Sequence, residues 1–442
     1  MFMTLKTIKP SAITRAITGL AALLACIAAP AWAQRADSLT YTVQAGDTLY
    51  AIAEKYLKNT STARDIQRIN RVRNPRRLSI NRTLSIPREM LKFQPVQLTV
   101  GSFSGPVAIG GDEPVKDQVL AIGETVVTQR NGFIRFESTF GGLVSLPSNT
   151  TARLVRARRY TLGNTLDVEF EVLNGRANAA SPSLNGQDRL RMRTPVAVTA
   201  VRGTEFRVAY DAENADVSLT EVTEGNVQVA AGGETRPTPA GFGVSSSPSG
   251  VSEPEALLLA PAIIAPGDVQ TGETVNFAFD PIEGAELYRV QIADGFGFTN
   301  VLAEQIVDTE MVQFSDIENN RYAVRVRSIS QSGLEGVNSV AESFLRKRLG
   351  VVASSGRSPD YDGFNFDWTH QGGDTATFAF QLWVKGNPGA LLVDEVGLTE
   401  TQITLTNLGA GEYEWRVAVT ETDAVDGLIK VWGKTEPVNV SN

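Results

Sequence analysis

Thr194-Pro195-Val196-Ala197-Val198-Thr199-Ala200-Val201-Arg202-Gly203-Thr204-Glu205-Phe206-Arg207-Val208 is the stretch that decides the fold class. Apolar side chains alternate at Val196, Val198 and Ala200, and again at Phe206 and Val208. Successive side chains of a strand point to opposite faces, so this period of two predicts two strands, each with one buried face. Gly203 supplies the backbone freedom to redirect the chain between them. The same grammar extends outward. Upstream, 97–100, 120–127, 133–136, 142–146, 151–154, 168–172 and 190–193 read as short strands broken by glycine turns, one of them at Asn174-Gly175. Downstream, 217–229 continues the pattern through Glu224-Gly225. Residues 93–250 therefore read as one all-β domain, with a Gly/Pro/Ser-rich end from Ala231 to Gly250.

Beyond it the chain repeats itself. The strands 275–279, 284–292 and 321–327 return about 90 residues later as 364–368, 378–383 and 411–419. Short alternating strands in a repeat of this length predict two β-sandwiches, at 254–347 and 349–442. Tyr322 and Tyr413 recur at the same place in the third strand. They are expected in the core, with hydroxyls reaching the surface or a backbone group.

The N-terminal end differs. Tyr41 and Val43 open a short strand, Gly46-Asp47 turns it, and Leu49, Ile52, Ala53 and Tyr56 then form one apolar helical stripe. Asp47 or Thr48 can cap that helix. A second amphipathic piece carries Ile66 and Ile69 and ends at Asn70; an Asn74-Pro75 turn leads to a closing strand at 84–87. Ahead of this βααβ unit at 38–90, Lys6, Lys9 and Arg15 precede an uncharged run that ends in Ala31-Trp32-Ala33. That is the pattern of a secretory signal peptide over 1–33, too short and too interrupted for a membrane anchor. The single cysteine, Cys26, lies inside it, so the mature chain would hold no thiol; lipidation at Cys26 is the alternative. No transmembrane segment is expected in the mature chain.

Charge is uneven. Between Glu54 and Lys92 there are 11 Lys/Arg against 3 Asp/Glu, a local +8; from Val251 to Asn442 there are 12 against 28, a local −16. A basic end on an acidic chain points to an anionic contact. In an exported protein that is peptidoglycan or the chain's own acidic part, and not nucleic acid. One histidine, His370, and no mature cysteine exclude thiol–imidazole pairs, His-Glu zinc motifs and multi-histidine metal sites. No Gly-x-Ser-x-Gly turn exists. The alternating acids of 360–367 lack the closing Glu of a calcium loop. No catalytic residue, metal or cofactor is expected, and the chain reads as a non-enzyme.

Three resemblances add to this reading. The 38–90 unit resembles the LysM module, which binds peptidoglycan and chitin in a shallow groove between two loops. Matched residue by residue, that implies a glycan site at Gly46, Asp47, Thr48, Leu49, Tyr50, Asn70, Asn74 and Ile80, taking a glycan that contains N-acetylglucosamine. Where members carry Pro-Gly-Gln, this chain has Asn81-Arg82-Thr83; Asn tolerates the left-handed conformation Gly would supply, and Arg82 alters the rim. Thr194-Pro195, Gly203-Thr204-Glu205-Phe206 and Glu224-Gly225-Asn226-Val227 resemble the FecR protein domain, whose best-known members regulate a sigma factor through a membrane helix and cytoplasmic tail; neither is expected here, so that role is not carried over. The Tyr-x-x-Arg-Val strands resemble fibronectin type III modules. Together these imply a mainly β, multidomain, non-enzymatic protein of the periplasm or cell envelope that binds peptidoglycan. The alternative is a signalling or assembly protein whose FecR-like domain meets an envelope protein partner and whose LysM-like module no longer binds glycan.

Overall fold

The structure is a computed structural model that describes residues 37–181, 186–201, 203–213, 216–265, 267, 269–359 and 362–441. The expected signal peptide, Cys26, Arg202 and the Asp360-Tyr361 start of the acidic stretch lie outside the described residues. The chain divides into two compact units that meet between Lys92 and Phe93.

The first unit is the expected βααβ arrangement. Strands Ser38–Thr42 and Thr83–Pro87 pair antiparallel, and helices Leu49–Tyr56 and Ala63–Ile69 lie between them in sequence. Leu49, Ile52 and Ala53 are buried, as the stripe requires, together with Leu39, Val43, Leu57, Ile66, Leu84 and Ile86. A buried core this small is marginal, and the tail reinforces it: Lys58 and Lys92 donate backbone bonds to Met90 and Tyr56.

The second unit is all β. Strands between Phe93 and Ala256 close into a barrel around one core that includes Phe136, Phe170, Met192, Phe206 and Val229. Its organising element is the 16-residue strand Thr165–Ala180. The first half pairs antiparallel with Thr150–Tyr160 and parallel with Arg189–Arg193; the second pairs with Leu143–Leu146 and Glu205–Tyr210. Asn174-Gly175 is therefore a bend within one strand and not the turn that the sequence suggests. The register slips between Val172 and Asn174, and Gly175 takes φ +86° where a Cβ would stand 2.4 Å from the Asn149 carbonyl oxygen. On the outer face of the first half, Asp167 and Glu169 are buried beneath arginines: Arg158 to Asp167 at 3.1 Å, Arg191 to Glu169 at 2.8 Å and Arg193 to Glu169 at 3.2 Å.

The deciding stretch folds as two strands, Val198–Val201 and Glu205–Tyr210, but with one inversion. Phe206 and Val208 are buried as expected. Before the turn, however, Ala197, Thr199 and Val201 face inward, Val198 and Ala200 are half-buried outside, and Val196, also half-buried, packs against the core as expected. Thr199 can face the core because its hydroxyl meets that of Thr220 at 3.0 Å, which satisfies both. Val198 and Ala200 sit opposite Arg193 and Arg191, whose aliphatic stems give apolar cover outside. The Gly/Pro/Ser-rich end supplies two full strands of the barrel, Glu234–Pro239 and Phe242–Ser247.

Two sandwiches follow. In each, a three-stranded sheet is centred on an aromatic strand, Val275–Phe279 or Gly363–Gln371. A larger sheet pairs Ala285–Ala293 with Asn320–Ser330 in the first, and Thr377–Val384 with Gly411–Asp423 in the second. The repeat read from the sequence is thus a repeat of topology. Tyr322 and Tyr413 are buried, and the Tyr413 hydroxyl donates to the Gly409 carbonyl at 2.8 Å. The second core is largely aromatic, with Phe366 packed 5.1 Å from Phe380 and 4.8 Å from Trp415. The fold is mainly β, as the sequence indicates.

Gly175→Ala should destabilise the barrel by about 1–3 kcal/mol or more, through the left-handed backbone and the close approach of its Cβ to the Asn149 carbonyl. Thermal unfolding of the two proteins checks this, and an unchanged melting temperature would contradict the bend.

Candidate functional site

Two loops of the first unit lie side by side. One follows the strand Ser38–Thr42; the other joins the helix Ala63–Ile69 to the strand Thr83–Pro87. Backbone hydrogen bonds tie them: the Leu49 N–H donates to the Pro75 carbonyl at 2.8 Å, and the Asn81 N–H donates to the Val43 carbonyl at 2.9 Å.

The first loop is rigid by construction. Gly46 adopts φ +84° with open space where a Cβ would be, so the left-handed backbone and not crowding selects glycine. The Asp47 carboxylate accepts from the Gln44 N–H at 2.7 Å and from the Tyr41 hydroxyl at 2.8 Å. Burial, reinforced by this bond to Asp47 and by its negative charge, pushes the Tyr41 phenol up to about 12. Of the two candidate caps it is Thr48 that closes the helix, its hydroxyl oxygen accepting from the Ala51 N–H at 3.1 Å. Leu49 is a core residue, and Tyr50, one position on, is 51% exposed on the first turn.

The second loop is held by Asn70. Its amide nitrogen donates to the carbonyls of Ile66 at 2.9 Å and Ser85 at 2.8 Å, and its oxygen accepts from the Ser85 N–H at 2.7 Å. Asn74 makes a local turn, accepting from the Arg76 N–H at 3.0 Å. Asn81 does take the left-handed conformation, at φ +63°. Arg82 folds back, donating to the carbonyl of Asn70 at 2.5 Å and to that of Arg71 at 3.4 Å. Ile80 stands 60% exposed.

The expected site residues thus separate by what they touch. Tyr50 and Ile80 offer exposed apolar surface. Gly46 and Asn74 shape the loops. Asp47, Thr48 and Asn70 direct polar groups into the unit itself, and Leu49 fills its core. Sequence reading missed the Tyr41–Asp47 latch, since a tyrosine in an alternating strand signals burial and nothing about its hydroxyl. It also missed that Ile69 is 44% exposed: its helix is seven residues long, and Ile66 is the isoleucine it buries. Among the described residues no group of three or more His, Cys, Asp or Glu could hold a metal ion, and no helix is long and apolar enough to cross a membrane.

Residues 41–87 match the LysM domain family. Residues 124–228 match the family described as FecR protein. Both are binding or signalling modules, and no enzyme family is indicated. No curated protein matches the chain. Among solved structures, that of a candidate anti-sigma factor from Parabacteroides distasonis is 16% identical at a TM-score of 0.25; the match covers 30% of this chain and 59% of that one. The chain thus spans about three fifths of that protein's length. The FN1–FN3 domains of chicken CNTN1 match at 14% identity, covering 56% of this chain and 95% of that one with a TM-score of 0.22. Fibronectin(III)-like modules of Clostridium thermocellum CbhA match at 11%, covering 41% and 93%, also at 0.22.

Two outcomes follow for this unit. Asn70→Ala strands both backbone groups of Ser85 and should cost the LysM unit about 2–3 kcal/mol, read as faster amide exchange across 38–87. Because the folded Tyr41 phenol titrates at about 12 against an unfolded value near 10, the neutral phenol is the form the fold prefers. Its stabilisation is complete below pH ~10 and is lost as pH rises through ~12. Asp47→Asn should bring the phenol back toward 10, followed by ultraviolet titration of tyrosinate.

Proposed function

We propose that this chain is a non-enzymatic protein of the cell envelope, exported to the periplasm, that holds to peptidoglycan through the loops 46–50 and 74–80. One observation carries the reading. In a matched LysM domain, two loops tied through Leu49–Pro75 and Val43–Asn81 leave Tyr50 and Ile80 exposed. The sugar faces of an N-acetylglucosamine-containing glycan present C–H groups that pack on apolar side chains, and its N-acetyl groups pair with neutral backbone donors and acceptors. Asp47, Thr48 and Asn70 act as supports in this account. A shallow groove loses much of its gross interaction to ordering, so one module binds weakly. The local charge of +8 between Glu54 and Lys92 raises the association rate with an anionic wall and makes it salt-sensitive.

The match of 124–228 to the FecR family favours a second role for the β unit, recognition of an envelope protein partner. In that arrangement the LysM domain fixes where the protein is held and the remainder presents surfaces to others.

The purified protein should sediment with insoluble peptidoglycan, less at high salt, and Tyr50→Ala with Ile80→Ala should weaken the association about tenfold. Equal sedimentation by wild type and the double variant would sink the site. Crosslinking in intact cells that traps one dominant protein, with no wall association, would favour the signalling or assembly alternative.

A further inference from the structure

Where the barrel meets the first sandwich, two polar faces oppose each other. On the barrel's outside the register places Arg135 opposite Ser145, Ser145 opposite Asn178, Asn178 opposite Arg207 and Arg207 opposite Glu221. On the sandwich, Glu304, Gln291 and Arg325 form one cross-strand row, with Arg289 beside Arg327 in the next. Between them comes Glu335. Its carboxylate receives Arg289 at 2.8 Å, Arg176 at 3.0 Å and Arg327, and its N–H donates to Glu221 at 3.1 Å. Glu304 takes Arg289 and the Ser148 hydroxyl, and Glu221 takes Arg176 at 3.1 Å.

Both oxygens of Glu335 and of Glu304 are engaged, the Glu221 Oε2 has only the distant Arg207 before it, and positive charge is in excess around the adjoining cavity. A cavity of about 250 Å³ is lined by Arg135, Arg207, Arg325 and Arg327, with the exposed Glu205 as its one carboxylate. Arg207 is 4% exposed; its Nη2 donates to the carbonyls of Glu335 and Gly336, its Nε reaches Glu221 only at 3.4 Å, and its Nη1 has no partner. The Arg135 Nε has none either, although its Nη2 lies 3.7 Å from Glu137. Arg325 meets no carboxylate: it donates to the Gln291 amide oxygen at 2.9 and 2.7 Å and stacks 4.0 Å from the Phe298 ring. Burial and the neighbouring Arg207 pull the Arg325 guanidinium down to about 10; burial, with Arg207, Arg289 and Arg325, pulls Arg327 to about 9 despite Glu335. The Asn178 amide, directly between Arg207 and Ser145, has a buried oxygen with no partner.

Buried guanidinium groups with unpartnered N–H donors are costly, and their planar forks fit the oxygens of a compact anion. We propose that this cavity binds one compact oxyanion, such as phosphate, sulfate or a small carboxylate, between the barrel and the first sandwich. The anion supplies the acceptors that Arg207 and Arg135 lack, and it bridges the two domains.

The test uses the purified protein at constant ionic strength, titrated calorimetrically with phosphate, sulfate and acetate in separate arms that rank the ligand. One-to-one saturable binding is expected, weakened at least tenfold by Arg325→Gln. Asn178→Asp places a fixed carboxylate opposite Arg207; it should abolish anion binding and melt above the wild type in anion-free buffer. Absence of saturable binding in all three arms, or binding unchanged in both variants, overturns the proposal. So does an Asn178→Asp protein that melts below the wild type, and this arm stands even if Arg325→Gln fails to fold.

Discussion

The strand Thr165–Ala180 carries the β unit. It pairs with four others, so the barrel closes only if one continuous backbone serves both halves. A side chain at 175 strains the required bend, where a Cβ would meet the Asn149 carbonyl. Inside, Val168, Phe170 and Val172 belong to the common core; outside, Asp167 and Glu169 need the arginines of both neighbouring strands. The second half of the same strand brings Asn178 beside Arg207 at the junction with the sandwich. One strand thus sets the core, its charged outer face and the domain contact.

That contact is polar where most domain cores are apolar. Glu335 alone receives three guanidinium groups, and two of these, Arg176 and Arg289, are shared with Glu221 and Glu304. Such a cluster is specific because each charge tolerates only a narrow geometry once water is excluded, and it is unforgiving because an unmatched charge has nowhere to go. The overall acidity of the C-terminal half, −16 from Val251 onward, gives no hint of this, since the junction is locally rich in arginine.

The LysM domain obeys a different constraint. Its few buried residues leave little margin, so polar side chains brace the loops from within: Asp47 with Tyr41, Thr48 with the first helix, Asn70 with Ser85. Residues that a family likeness marks as a binding set divide in the structure into an exposed apolar pair, Tyr50 and Ile80, and residues that shape or brace the loops.

The sequence by itself determined the mainly β class, the βααβ unit, the repeated sandwich topology and the buried aromatic strands, because these depend on local periodicity and on turn residues whose preferences act over a few positions. It also indicated the left-handed Asn81. Only the tertiary structure decided which face of 196–201 lies inside. There the local apolar count favours Val196, Val198 and Ala200; Val196 does pack against the core, but the Thr199–Thr220 hydroxyl pair and the arginine stems outside reverse the face for Val198 and Ala200. It likewise turned Asn174-Gly175 from a turn into a bend and directed Asn70 and Arg82 inward. It also gathered Arg135, Arg207, Arg325 and Arg327 from distant strands around one cavity. Those outcomes rest on partners far apart in the chain, and no short stretch of sequence contains both sides of such a contact.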